Sequence, residues 1–165
     1  MTNDEIKMLI EASLDARNNS YCPYSGYAVG AALLARKPVD TGSSIDGRVS
    51  EDIEASLARV NSETIIYKGC NIENSSYGAT NCAERTAIFK AVSEGVTQFE
   101  AIAITGAPKG EAPRDYAYPC GICRQVMAEF CDMDFTVIVA ISSEEYKIFK
   151  LKELLPEAFS ASNME

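Results

Sequence analysis

The sequence predicts an α/β fold, a β-sheet with helices packed on its faces. Two observations carry this. Five short apolar segments read as strands and alternate with amphipathic helical segments, in the order α-β-(insertion)-β-α-β-α-β-β-α. The chain, 165 residues with 47% hydrophobic and 24% charged residues, is also long enough to bury a core without staples.

The elements follow in order. Thr2 and Glu5 have capping-box spacing, and Asp4 and Glu5 suit the positive end of a helix dipole, so a helix starts at the N-terminus. Ile6, Leu9, Ile10 and Leu14 mark its apolar face, and Asn18, Asn19 and Ser20 stop it. Residues 21–26 (YCPYSG) form a turn punctuated by Pro23 and Gly26, and residues 27–34 (YAVGAALL) a largely buried strand. The stretch 37–62 is acidic and weakly periodic, with a loop-like TGSSIDG and a helix expected over 50–60. It is too short to bury a core, so it is expected to be a surface insertion within a single domain spanning 1–165.

Residues 64–67 (TIIY) resume as a strand, and a polar loop runs over 69–81. Residues 82–93 read as a helix that buries Ala83, Ala87, Ile88, Ala91 and Val92, with Gly95 at the position of a C-terminal cap. A strand over 99–105 is followed by a Gly- and Pro-containing loop to Pro119. Residues 121–130 form a helix with Ile122, Val126 and Phe130 on one side. Residues 135–141 (FTVIVAI) are a buried strand and 146–149 a short one; a last helical turn over 151–155 is broken by Pro156. The unit 99–141 is expected to be a right-handed crossover between parallel strands.

Composition excludes several chemistries. There is no histidine, so Ser-His and Cys-His pairs, mixed Cys/His metal sites and HExxH motifs are absent. Any general acid or base must be a carboxylate, Lys, Tyr or Cys, and a tight zinc site must be built from Cys, with or without a carboxylate. The net charge is −9 and the Lys and Arg residues are scattered, which disfavours nucleic acid and acidic membrane surfaces as partners. No apolar run approaches the length of a bilayer span, and the acidic N-terminus lacks the basic region of a secretory signal, so a cytoplasmic location is expected. In that compartment the six cysteines suggest a metal site or buried thiols before a disulfide framework.

Two motifs concentrate the chemistry: Cys82-Ala-Glu84, and Pro119-Cys120-Gly-Ile-Cys123, each at the predicted start of a helix. A Cys-x-x-Cys turn lets two sulfurs reach one zinc ion at about 2.3 Å, and Cys82 supplies a third. Helix N-termini favour thiolates, and three protein ligands leave a fourth position open, the catalytic pattern. Arg85 is placed to offset the excess negative charge by donating to the sulfurs, and Glu84 to move protons at the vacant side. Other readings stay open at this level. Asn81 and Glu84 have capping-box spacing, a Cys-x-x-Cys pair also serves redox chemistry, and Cys70 or Cys22 as a fourth ligand would make a closed structural site.

The blocks PYSGYAVGAALL (23–34), GCNIENSSYGATNCAERTAIFKA (69–91), PCGICRQVMAEF (119–130) and ELLPEAF (153–159) closely resemble the small, three-cysteine, homotetrameric cytidine deaminases of the cytidine/deoxycytidylate deaminase superfamily. The resemblance implies a three-layer α/β/α sandwich around a mixed five-stranded sheet. It implies one zinc ion per subunit on Cys82, Cys120 and Cys123, with Glu84 as proton shuttle. It also implies hydrolytic deamination of cytidine and 2′-deoxycytidine in pyrimidine salvage. By position, Asn71 and Glu73 match ribose contacts, while Tyr27 and Ala83 match the nucleoside pocket. Tyr77 and Phe159 match residues that reach across subunit interfaces of a homotetramer. Tyr27-Ala28 stands where Phe-Pro is common, and about 25 extra residues lie where the family has a short hairpin. A blasticidin-type or free-base deaminase, or a non-catalytic zinc protein, are the alternatives.

Overall fold

The computed structural model describes residues 1–38, 62–159, 163 and 164. Its centre is a five-stranded sheet of β1 (Tyr27–Pro38), β2 (Ser62–Cys70), β3 (Gln98–Pro108), β4 (Thr136–Ala140) and β5 (Tyr146–Lys150), in the order β2-β1-β3-β4-β5. Strand β1 runs antiparallel to β2 and β3, and β4 antiparallel to β5. The pair β3–β4 is parallel, as a helical crossover requires, and the sheet is therefore mixed.

Side chains alternate between the two faces with the period of a strand. Ala32, Leu34, Ala101, Ala103 and Ile138 face α1 (Asn3–Ala16) and meet its Ile6, Leu9 and Ile10. Ala31, Leu33, Ile102, Ile104, Val137 and Val139 face the opposite layer, built from α2 (Ala83–Ser93), α3 (Gly121–Phe130) and the short α4 (Leu151–Leu154). Each fully buried Leu or Ile in these layers contributes about 1.5–3 kcal/mol of transfer free energy. Helix α1 carries the predicted capping box, with the Thr2 hydroxyl accepting from the Glu5 N–H and the Glu5 carboxylate accepting from the Thr2 N–H.

Two glycines allow helices to approach the sheet. A Cβ on Gly30 would stand 2.0 Å from the Ser13 carbonyl oxygen of α1, and one on Gly69 would stand 2.4 Å from the Ala83 carbonyl oxygen of α2. Gly69 therefore sets the seat of the helix that follows the CAE motif.

The structure departs from sequence expectation in two places. Strands β1 and β2 are longer than predicted and stay paired to Pro38↔Ser62, so residues 37, 38 and 62 belong to the hairpin rather than to the insertion. Cross-strand hydrogen bonds hold them there although their own pattern is not strand-like. The rest of the stretch expected as an insertion, and the helix expected over 50–60, lie outside the described residues. In α3, the buried positions are Cys123 and Met127, whereas Ile122 is 62% exposed. Turning Cys123 inward, toward the other motif, rotates its neighbour Ile122 outward.

Candidate active site

The two motifs meet. Cys82 is the N-cap of α2 and Cys120 the N-cap of α3, both in extended backbone conformation, and Cys123 lies in the first turn of α3. Cys82 Sγ is 3.8 Å from Cys120 Sγ, and Cys120 Sγ is 3.5 Å from Cys123 Sγ. All three sulfurs lie within 4.8 Å of one another. A tetrahedral ion with Zn–S distances of about 2.3 Å needs sulfurs about 3.8 Å apart, so the cluster fits zinc. Among the described residues no fourth cysteine joins it. Cys70 instead points its thiol at the Asn19 carbonyl, 3.3 Å away, and Cys22 is buried as a free thiol. Among the described residues the donors are these three cysteine sulfurs, and three such ligands leave a tetrahedral ion one open position, the pattern of catalytic zinc.

The electrostatics are those of crowded sulfurs. The contact with Cys123, and then the Arg85 guanidinium, pull the Cys82 thiol down to about 5 against the effect of burial. The same contact and burial push Cys123 upward, so that one proton stays between the pair. Arg85 contributes from one side: its Nη2 donates to Cys82 Sγ at 3.4 Å and to the Thr80 carbonyl at 3.0 Å, which fixes the guanidinium beside the sulfur.

Glu84, the second residue of α2, is 4% exposed. Burial pushes its carboxyl up to about 7. A carboxyl poised near neutrality can both take and give a proton. The capping-box alternative is not formed: the N-cap is Cys82, and the Asn81 amide donates to the Thr86 hydroxyl at 3.1 Å.

A cavity of about 260 Å³ opens on this cluster, with Tyr27, Asn71, Ala83, Glu84, Tyr118 and Cys120 among its walls. Beside it a hollow of about 320 Å³ is lined by Tyr24, Ser25, Glu73, Tyr77 and Thr80. Thr80 belongs to both, so the two are contiguous, and together they have the size of a small-molecule site.

Asn71 is committed to the backbone of β1. Its Oδ1 accepts from the Val29 N–H and its Nδ2 donates to the Tyr27 carbonyl, both at 2.9 Å. Glu73 is held by the YCPYSG turn, accepting from the N–H groups of Tyr24 at 2.9 Å and Ser25 at 3.2 Å and from the Ser25 hydroxyl. That hydroxyl, before the two N–H groups, keeps the Glu73 carboxyl below the usual range. Tyr77 is 75% exposed and packs on Tyr24 with ring centroids 5.9 Å apart. Phe159 lines neither cavity; it is 61% exposed, and its carbonyl accepts from Gln125 Nε2 at 2.8 Å.

Sequence reasoning missed Tyr24, Ser25, Thr80, Ala117 and Tyr118, which also line these hollows. All sit on loops whose path has no periodic signal. For Tyr118 the adjoining Pro119-Cys120 was the available cue, since the residue before a proline is confined to extended conformations.

The chain is similar to known proteins of one family. The family profile described as the cytidine and deoxycytidylate deaminase zinc-binding region matches residues 51–139. A protein of Sporosarcina psychrophila named cytidine deaminase is 41% identical over 160 residues, covering 97% of this chain and 95% of that protein. A cytidine deaminase of Halalkalibacterium halodurans is 42% identical over 158 residues, 96% of each. Among solved structures, the cytidine deaminase from Burkholderia pseudomallei superposes with a TM-score of 0.70 at 35% identity, covering 96% of this chain and all (100%) of that one.

Proposed function

The chain belongs to the cytidine and deoxycytidylate deaminase family, and from that premise we propose that it hydrolyses cytidine and 2′-deoxycytidine to uridine and 2′-deoxyuridine, releasing ammonia. The observation that carries the mechanism is the burial of Glu84 in a cavity whose wall includes Cys82 and Cys120. Cys82, Cys120 and Cys123 would hold the zinc ion, which when bound supplies a Lewis acid with one position open to water.

Glu84 is assigned every proton movement. It takes a proton from the attacking water as the oxygen bonds to C4 of the base, and delivers it to N3. It then carries the second proton of that oxygen to the exocyclic nitrogen. The C4–N bond breaks, ammonia leaves, and the C4 carbonyl forms. Water and cytidine are consumed and uridine and ammonia produced, with no redox change. Arg85 shares the excess charge of the sulfurs by donating to Cys82.

Asn71 and Glu73 are assigned to the sugar hydroxyls. Their bonds to the backbone lock their rotamers, while Asn71 keeps a second N–H and Glu73 further lone pairs for a ligand. Ala83 offers a main-chain N–H at the start of α2, where the helix itself leaves it unpaired, and Tyr27 forms an apolar wall. The exposure of Tyr77 and Phe159 supports their reaching a neighbouring subunit's site in a homotetramer. We read the chain as a single domain (1–165) acting in cytoplasmic pyrimidine salvage; among the described residues no helix is long and apolar enough to cross a membrane.

The deciding experiment is ammonia release by the zinc-loaded protein, with cytidine as substrate and free cytosine as control. Release from cytidine alone is expected. No release from cytidine with zinc bound would overturn the reading.

A further inference from the structure

Tyr118 occupies a place that the mechanism above leaves without a task. It lines the catalytic cavity, yet it is fastened from outside that cavity by β5. Lys147 Nζ donates to its hydroxyl at 3.3 Å, and the same ammonium sits 4.2 Å from the centroid of the Tyr116 ring. The Tyr118 ring packs edge-on against Phe149, with centroids 5.8 Å apart at 63°, and tilts against Tyr116 at 6.3 Å. Pro119 confines the Tyr118 backbone to extended conformations, and Cys120 is itself extended. Tyr118 and Cys120 both line the cavity and stand only two residues apart in the chain, so they belong to one end of it.

We infer that Tyr118 is a specificity-determining wall at the amino-bearing edge of the base, and that Lys147 is the residue that positions it. The inference rests on the deaminase reading. In that reading C4 and its amino group sit at the cysteine end, while the sugar lies toward Asn71 and Glu73. A wall beside Cys120 therefore flanks the exocyclic nitrogen and the adjacent C5. Free rotation would make it a weak barrier, since the residue is 46% exposed. The ammonium hydrogen bond and the two ring contacts remove that freedom, and a held ring excludes an added methyl group.

The test compares cytidine, 5-methylcytidine and N4-methylcytidine as substrates for the zinc-loaded wild type, Tyr118→Ala and Lys147→Met. A pocket that rejects one methyl group discriminates by about 10- to 200-fold. The kcat/KM ratio of a methylated substrate to cytidine is therefore expected to rise at least about tenfold in Tyr118→Ala. In Lys147→Met it should rise in the same direction by less, mainly through KM, with cytidine turnover and zinc content retained. Unchanged ratios for both methylated substrates in both variants would overturn the inference while leaving the deaminase reading intact. A wild type that releases no ammonia from cytidine would overturn both. Should Tyr118→Ala lose zinc or fail to fold, Lys147→Met decides alone, because its side chain lines neither cavity.

Discussion

Gly69→Ala tests how the fold governs the site without touching it. The added Cβ would stand 2.4 Å from the Ala83 carbonyl oxygen, 2.5 Å from the Ala87 nitrogen and 3.0 Å from the Ala87 Cα. These are backbone atoms of α2 and cannot rotate away. Ordinary contact begins near 3.4 Å, so α2 and β2 must separate by about 1 Å. Overpacking of this kind costs about 1–3 kcal/mol. For a domain of this length that is a fall in melting temperature of roughly 3–10 °C. Helix α2 also carries Cys82 at its cap and Glu84 in its first turn, so the same shift moves both relative to Cys120. A displacement of about 1 Å at reacting groups lowers turnover about 100-fold. The assays are a thermal melt and the kcat for ammonia release, each with zinc content measured on the same sample. An unchanged melting temperature together with unchanged kcat would refute the claim that the close approach of Gly69 sets the seat of α2.

Three further outcomes are expected. Glu84→Gln should keep its zinc, as read by metal analysis, and lose about 10²- to 10⁴-fold in kcat, because it retains the shape but not the proton transfer. Cys120→Ser should lose tight zinc binding while Cys70→Ser keeps it, since Cys70 is directed at Asn19 and lies outside the cluster; loss of metal from Cys70→Ser would point to a closed four-thiolate site. The carboxyls of Glu5, Asp15, Glu73 and Asp134 are held below their ordinary values of 4.5 for Glu and 3.8 for Asp, by the Thr2 N–H, Lys68, the Ser25 hydroxyl and Lys152 respectively. Groups whose folded value is depressed stabilise the fold above the unfolded value, so the melting temperature should fall as the pH drops below about 4.5. Added salt should shrink the part of that fall that comes from Asp15–Lys68 and Asp134–Lys152, because both ion pairs are exposed. A melting temperature that stays level through acid pH would contradict it.

The parts of the molecule that were legible share a short range. Thr2 and Glu5 cap α1 through a contact three residues long, and the apolar alternation in β1, β3 and β4 needs only the period of a strand. The zinc cluster was legible for a related reason. Cys120 and Cys123 are neighbours on one helical turn, and Cys82 joins them only because two helices start at the same place. Where local pattern and tertiary demand conflicted, tertiary demand won. Ile122 is apolar but faces outward because Cys123 must face in, and Asn81 caps nothing because Cys82 takes the cap.

By itself the sequence determined the fold class, the candidate residues Cys82, Glu84, Cys120 and Cys123 and, through the absence of histidine, the exclusion of rival chemistries. Only the tertiary structure decided what surrounds them. Asn71 and Glu73 are pinned by residues 42 to 49 positions away, and Tyr118 is pinned by Lys147, 29 positions away. Such contacts depend on how loops cross the end of the sheet, and no local propensity encodes that path. The raised carboxyl of Glu84 belongs with them, for its cause is burial, which residues distant in the chain create only once they have packed.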